Sequence, residues 1–142
     1  MKLEEIKEAI KADFKIDKTD LGNEALRPSD LFSKYILLWT EESIKLKSLQ
    51  KERGRLAVKK RAYYTGNGTP EEYAERPFPQ KLRTETAIQE HINSDPDIIA
   101  FEEKLDLQDL KIKLIEAALD QIKKMGFSIK ASIDYYKFVS GG

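Results

Sequence analysis

The sequence predicts an all-α chain: a long helical hairpin with short flanking helices. Two stretches, residues 29–64 and 95–125, repeat apolar residues every three or four positions. Each is bounded by helix start and stop signals. No segment alternates apolar and polar residues with the two-residue period of a strand. The 142 residues read as a single helical domain, long enough to bury a core.

Taken in order, Leu3, Ile6, Ile10 and Phe14 line one side of a short amphipathic helix over residues 2–14. Residues 15–28, with Asp17, Gly22, Asn23 and Pro28, form a connector. The first long helix starts at Ser29, a good N-cap, with Asp30 suited to the positive end of the helix dipole. It runs to Tyr64, about 50 Å at 1.5 Å per residue, and stops at Thr65-Gly66-Asn67-Gly68. Gly54 lies inside it and permits a bend without ending it.

Thr69-Pro70-Glu71-Glu72 opens a short helix, with Thr as cap, Pro at the first position and Glu at the third. Arg76-Pro77-Phe78-Pro79 breaks it. Leu82, Ala87, Ile88 and Ile92 predict a helix over residues 81–93. Ser94-Asp95-Pro96 caps the second long helix, which is expected to end at Met125-Gly126. Residues 127–139 then form a short terminal helix with Ile129, Ile133 and Tyr136 on one side.

Each long helix carries a heptad-like seam. The first uses Phe32, Tyr35, Trp39, Leu46, Leu49, Leu56 and Tyr63, interrupted by Glu42, Arg53 and Lys60. The second uses Ile98, Phe101, Leu105, Ile112, Ile115, Leu119 and Ile122, interrupted by Gln108. Such seams pack against each other within one chain, or against another subunit. Two rods with little other mass to cover them favour a homo-oligomer.

Composition narrows the function classes. Lys plus Arg is 25 and Asp plus Glu is 25, so net charge by itself points to no polyanion partner. No cysteine is present, which excludes disulfides, thiolate nucleophiles and Cys-ligated metals. No apolar run approaches the ~20 residues needed to span a bilayer, so no membrane partner is expected. The first residues are acidic and amphipathic, unlike a signal peptide, and a cytosolic location is expected.

Charge distribution is more informative. Lys47, Lys51, Arg55 and Lys59 recur every four residues and stack in one stripe, with Arg61 beside it. Like charges at this spacing destabilise a helix by roughly 0.2–0.5 kcal/mol per pair. An external anion offsets that cost, and a nucleic-acid backbone is the usual one. Two other readings fit the same stripe. It is a solvated face, or it is neutralised by Asp95, Asp97, Glu102, Glu103, Asp106 and Asp109 at the start of the second long helix.

The stripe runs into Lys59-Lys60-Arg61, then Tyr63-Tyr64, then the Gly66-Asn67-Gly68 loop with its backbone N–H groups. Cations track phosphates, and aromatic faces stack unpaired bases, so the block suits a single strand. Tyr63 sits on the seam and reads equally as core; Tyr64 is the freer of the two. The candidate site for single-stranded DNA is therefore Lys47, Lys51, Arg55, Lys59, Lys60, Arg61 and Tyr64.

Catalytic signals are missing. His91 is the lone histidine, and a zinc site needs partners it lacks. Glu102, Asp106 and Asp109 share a helix face and are the one set for an alternative, Mg²⁺-dependent reading. No nucleophile–base pair stands out. No cofactor, no metal and no enzymatic activity are expected.

The chain resembles the bacteriophage UvsY family of recombination mediators along nearly its whole length. The resemblance runs through Leu3-Glu4-Glu5-Ile6, Phe14-Lys15-Ile16-Asp17, Ser33-Lys34-Tyr35 and Tyr63-Tyr64-Thr65-Gly66. It closes with Ala118-Leu119-Asp120-Gln121-Ile122-Lys123-Lys124 and Gly126-Phe127-Ser128-Ile129-Lys130. The resemblance implies non-specific binding of single-stranded DNA and no catalytic residues. It implies a closed homo-oligomeric ring of six or seven subunits, assembled through the C-terminal region. It also implies two protein partners in the infected cell's cytoplasm: a phage recombinase, and the single-strand-binding protein it replaces. The family's Lys and Arg before the Tyr pair fall here on Lys59, Lys60 and Arg61, with a spacing one residue off the family's pattern. Without the resemblance, a coiled-coil scaffold whose basic stripe pairs with its own acidic segment fits as well.

Overall fold

A computed structural model of the chain describes residues Met1–Gly141. Among them the elements are all helical: α1 (Leu3–Asp13), α2 (Leu21–Glu24), α3 (Arg27–Tyr64), α4 (Pro70–Glu75), α5 (Glu85–Asn93) and α6 (Pro96–Val139). The chain divides into two compact units. Residues 1–43 and 109 onward form the first, and Ile44–Gln108 the second. The long helices α3 and α6 each contribute to both.

In the first unit, α1 lays Ile6 against Leu31, Tyr35 and Leu38 of α3 and Ile115, Ile122 and Ile129 of α6. Each fully buried aliphatic side chain contributes about 2 kcal/mol of apolar transfer energy. Phe14 stacks on Tyr35 with ring centroids 6.0 Å apart. The Tyr35 hydroxyl donates to Asp13 at 2.8 Å, and Lys34 reaches the same carboxylate at 2.5 Å. Burial alone would push the Asp13 carboxyl up, but these two partners outweigh it and hold it below its ordinary value. Arg27 closes the connector by donating to the carbonyls of Asp13 and Lys15 and to the Glu24 carboxylate.

In the second unit, Tyr63, Tyr64, Ile88, Ile92 and Ile98 form the core. The predicted capping box is present in full: the Thr69 side chain accepts from the Glu72 backbone N–H, and the Glu72 carboxylate accepts from that of Thr69. Asp95 caps α6, accepting from the backbone N–H of Asp97 at 2.9 Å and of Ile98 at 3.4 Å.

Several boundaries differ from expectation. α3 begins at Arg27 instead of Ser29, because Pro28 in the first turn forgoes an N–H that has no intrahelical partner there. The connector contains α2. Residues 81–84 stay extended or bent, and Thr84 caps α5 by accepting from Ala87 N–H. The expected break at Gly126 is absent: α6 runs through it, so residues 127–139 belong to the same helix. One internal glycine costs about 1 kcal/mol, and Met125 and Ile129 on either side are both buried.

The residues that interrupt the first seam each meet a partner on the inner face. Glu42 is fully buried and receives the N-terminal ammonium at 3.1 Å. Arg53 donates to Glu102 at 2.7 Å, and Lys60 to Asp97 at 2.6 Å. Phe32, assigned to the seam from sequence, is instead 44 % exposed, and Leu31 takes the core position.

Candidate nucleic-acid interface

The second unit carries the candidate site on the last five turns of α3. Its buried side is set by Leu46, Leu49, Arg53, Leu56, Lys60 and Tyr63, at three- and four-residue steps. That register turns Lys47, Lys51, Arg55 and Lys59 outward, and all four are exposed. Among the described residues, none of the four forms an ion pair within contact distance. In the sequence from Lys47 to Lys59, Glu52 is the one acid. The predicted ladder therefore faces solvent; at its end Lys59, after the Thr69 N–H, also helps hold the Glu72 carboxyl below its ordinary value.

The other three candidates lie differently. Lys60 is on the inner face, its side chain 13 % exposed, held by Asp97 at 2.6 Å and Asp95 at 3.4 Å. Burial alone would lower its pKa; the two carboxylates more than reverse this and raise it. Arg61 meets Glu85 in a fork, Nη1 at 2.8 Å and Nη2 at 2.5 Å. The acids opening α6 thus reach inner-face cations, Arg53 and Lys60, and leave the outer ladder alone.

Tyr64, expected to be free for stacking, is buried. Its ring meets Tyr63 and Phe78 edge-on, each at a centroid distance of 5.0 Å. Its hydroxyl donates to Asp95 at 2.5 Å. Burial first, then the Asp95 carboxylate, push this phenol up to about 12. Tyr63 is buried too, stacked on Tyr73 at 5.1 Å. The described aromatics of this unit are buried or half-buried, so the pair is a core cluster and not a platform for bases.

The loop after α3 also differs from expectation. Gly66, at φ 84°, closes a Schellman cap: Asn67 N–H donates to the Ala62 carbonyl at 2.7 Å and Gly66 N–H to that of Tyr63 at 3.4 Å. Gly68 N–H donates to the Tyr73 hydroxyl, and Thr69 N–H to the Glu72 carboxylate. These backbone donors are spent inside the protein and do not form an anion-binding nest. Gly68 is needed for closeness, since a Cβ there would lie 3.2 Å from the Tyr63 Cα.

Asp95 is the residue that sequence reasoning understated. It is 1 % exposed, and besides capping α6 it takes Tyr64, Lys60 and Arg76, the last at 3.3 Å. Burial would raise its pKa; the Tyr64 hydroxyl, the Asp97 N–H and Lys60 outweigh that and lower it. Arg76, which the sequence marks only as part of a helix break, also places its guanidinium 5.9 Å from the centre of the Tyr63 ring. Two of the three carboxylates of the metal reading are engaged elsewhere: Glu102 by Arg53, and Asp109 by Lys113 at 2.8 Å. Among the described residues, no His/Cys/Asp/Glu group is placed to hold a metal, and no helix is long and apolar enough to cross a membrane.

Comparison with known proteins gives one consistent result. The profile of the family described as "Recombination, repair and ssDNA binding protein UvsY" matches residues 9–142. The recombination protein uvsY of Enterobacteria phage T4 is 32% identical over 143 residues, covering 99% of each chain. Crystal structures of the bacteriophage T4 recombination mediator protein UvsY superimpose closely. Lattice type IV gives a TM-score of 0.86 at 25% identity, covering 97% of this chain and 99% of that one. Lattice type II gives 0.82 at 26%, covering 99% and 98%.

Proposed function

The chain belongs to the UvsY family of recombination, repair and single-stranded-DNA-binding proteins, and from this premise we propose that it is a non-enzymatic recombination mediator. It holds single-stranded DNA without sequence preference, loosens the single-strand-binding protein and presents the strand to a phage recombinase. It does so in the cytoplasm of the infected host. The observation that carries the reading is the outer ladder: Lys47, Lys51, Arg55 and Lys59 face solvent with no ion pair among the described residues. A polyanion relieves their mutual repulsion, and its counterions are released on binding.

With Tyr63 and Tyr64 in the core, the strand contact is mainly to phosphates. That suits a protein indifferent to sequence. Lys60 and Arg61 lie at the end of the ladder and join it only when their carboxylates let go.

We also propose a ring-like homo-oligomer, in which a weak site repeated around the ring gains avidity. Exposed apolar side chains on the first unit support self-association: Phe127 is 74 % exposed and Phe138 83 %. Pro28, Phe32, Ile122, Gly126 and Phe127 line an open groove of about 630 Å³ there.

The test is strand affinity against salt for the chain with Lys47, Lys51, Arg55 and Lys59 all changed to Ala. For single strands, log K falls by about 0.7 per phosphate contact with log salt. The variant should lose affinity and flatten that slope by roughly 3 units, with helicity unchanged. An unaltered slope removes the ladder from the site.

The scaffold reading draws on the Lys60–Asp97 and Arg53–Glu102 pairs. It requires assembly to fall apart as salt rises, whereas a mediator loses DNA first.

A further inference from the structure

Lys60 and Arg61 stand where the ladder meets the end of α3, yet each is occupied by a carboxylate of its own chain. Both acids are solvent-facing, Asp97 with its side chain 68 % exposed and Glu85 69 %. Both also lie in the first turn of a helix, Glu85 in α5 and Asp97 in α6. Negative charge is favoured there by the helix dipole with or without a cation. Releasing the cation therefore leaves neither carboxylate stranded.

The cations are also prepared for release. Lys60 keeps Asp95 at 3.4 Å as a buried second partner. Arg61 is 46 % exposed and holds Glu85 with both arms of its fork, the geometry that a phosphate takes as readily as a carboxylate. The Arg61–Glu85 pair is exposed on both sides, and such pairs contribute little to stability, so its exchange for a backbone phosphate costs little.

We infer that Glu85 and Asp97 are affinity-setting residues: resident phosphate surrogates that hold Arg61 and Lys60 in reserve, so that strand binding at this end of α3 is an ion-pair exchange. The inference rests on the strand-binding reading. It explains why a protein that must give up its DNA pairs two of its cations internally. Arg61 exchanges first, because both members of its pair are open to solvent. Lys60 follows more weakly, since Asp95 still claims it.

The experiment is fluorescence anisotropy of a labelled oligo-dT across a salt series, using the intact chain and the variants Glu85→Gln and Asp97→Asn. Glu85→Gln should tighten binding about twofold to fivefold, the range of one exposed ion pair. It should also steepen the salt slope by about 0.7. Asp97→Asn should do the same to a smaller degree. Glu90→Gln, which removes a charge from α5 without touching Arg61, measures the general field effect and should change affinity less. In an Arg61→Ala background, Glu85→Gln should have no effect beyond that of Glu90→Gln.

Equal gains from Glu85→Gln with and without Arg61, or no gain at all, overturn the inference while leaving strand binding intact. No binding by the unaltered chain overturns both. Thermal melting of each variant, monitored by helicity, shows whether a fold change contributes.

Discussion

Tyr64 donates its hydroxyl to the Asp95 carboxylate at 2.5 Å, and this one buried contact ties the last turn of α3 to the cap of α6. The same carboxylate receives Lys60 and Arg76. An aromatic that reads from sequence as a surface for bases is thus a bolt between two helices.

Tyr64→Phe keeps the ring and removes only that bolt. A hydrogen bond to a charged group contributes about 1.5–3 kcal/mol. Chemical denaturation should therefore show a loss of that size. Strand affinity of the folded variant should be close to normal. Unchanged stability would mean that the hydroxyl–carboxylate contact does not hold the two helices together.

Acid should loosen the second unit through Asp95. Its folded pKa lies below the ordinary 3.8, so the unfolded chain takes up the proton first as pH falls. The stabilisation is complete above 3.8 and is lost as pH drops from there through the folded value. Asp95→Asn should flatten that part of the pH–stability curve. It should also lower stability at neutral pH, because Lys60 and Arg76 lose their shared partner.

Single members of the outer ladder should separate stability from binding. Lys51→Ala or Arg55→Ala removes a repulsive i, i+4 neighbour and should raise stability by about 0.2–0.5 kcal/mol. The same change should weaken strand binding and reduce the salt slope by about 0.7. Urea midpoints and anisotropy on one preparation measure both.

Two glycines should respond in opposite directions. Gly66 sits at φ 84°, and a Cβ there would lie 2.9 Å from Lys81 carbons, so Gly66→Ala should destabilise by about 1–2 kcal/mol. Gly126 is inside α6 with nothing within 4 Å of a built Cβ. Gly126→Ala should stabilise by about 0.5–1 kcal/mol, as read from denaturation midpoints.

Phe127→Ser, at a side chain 74 % exposed, should leave the fold of the first unit intact and weaken self-association. Sedimentation velocity over a concentration series measures it. A particle size equal to that of the unaltered chain would place the assembly surface elsewhere.

Local signals carried much of the fold. The box at Thr69-Pro70-Glu71-Glu72 and the cap at Asp95-Pro96 formed as the residue types require, because caps depend on groups three or four residues apart. The stop expected at Gly126 failed for a tertiary reason: Met125 and Ile129 are buried on either side, which outweighs the propensity of one residue. For Lys60 the signal was present and pointed two ways. It interrupts the seam, which places it inward, and it adjoins Lys59, which suggested the ladder.

By itself, the sequence determined that this protein is helical, where most of its helices start, and which face of α3 bears Lys47, Lys51, Arg55 and Lys59. Periodicity assigns a residue to a side of its own helix and says nothing of what another helix brings to meet it. Only the tertiary structure decided that Lys60 and Arg61 are already matched, that Tyr64 is enclosed, and that Asp95 gathers three side chains. Those outcomes depend on distances between groups far apart in the chain, and such distances are set by packing.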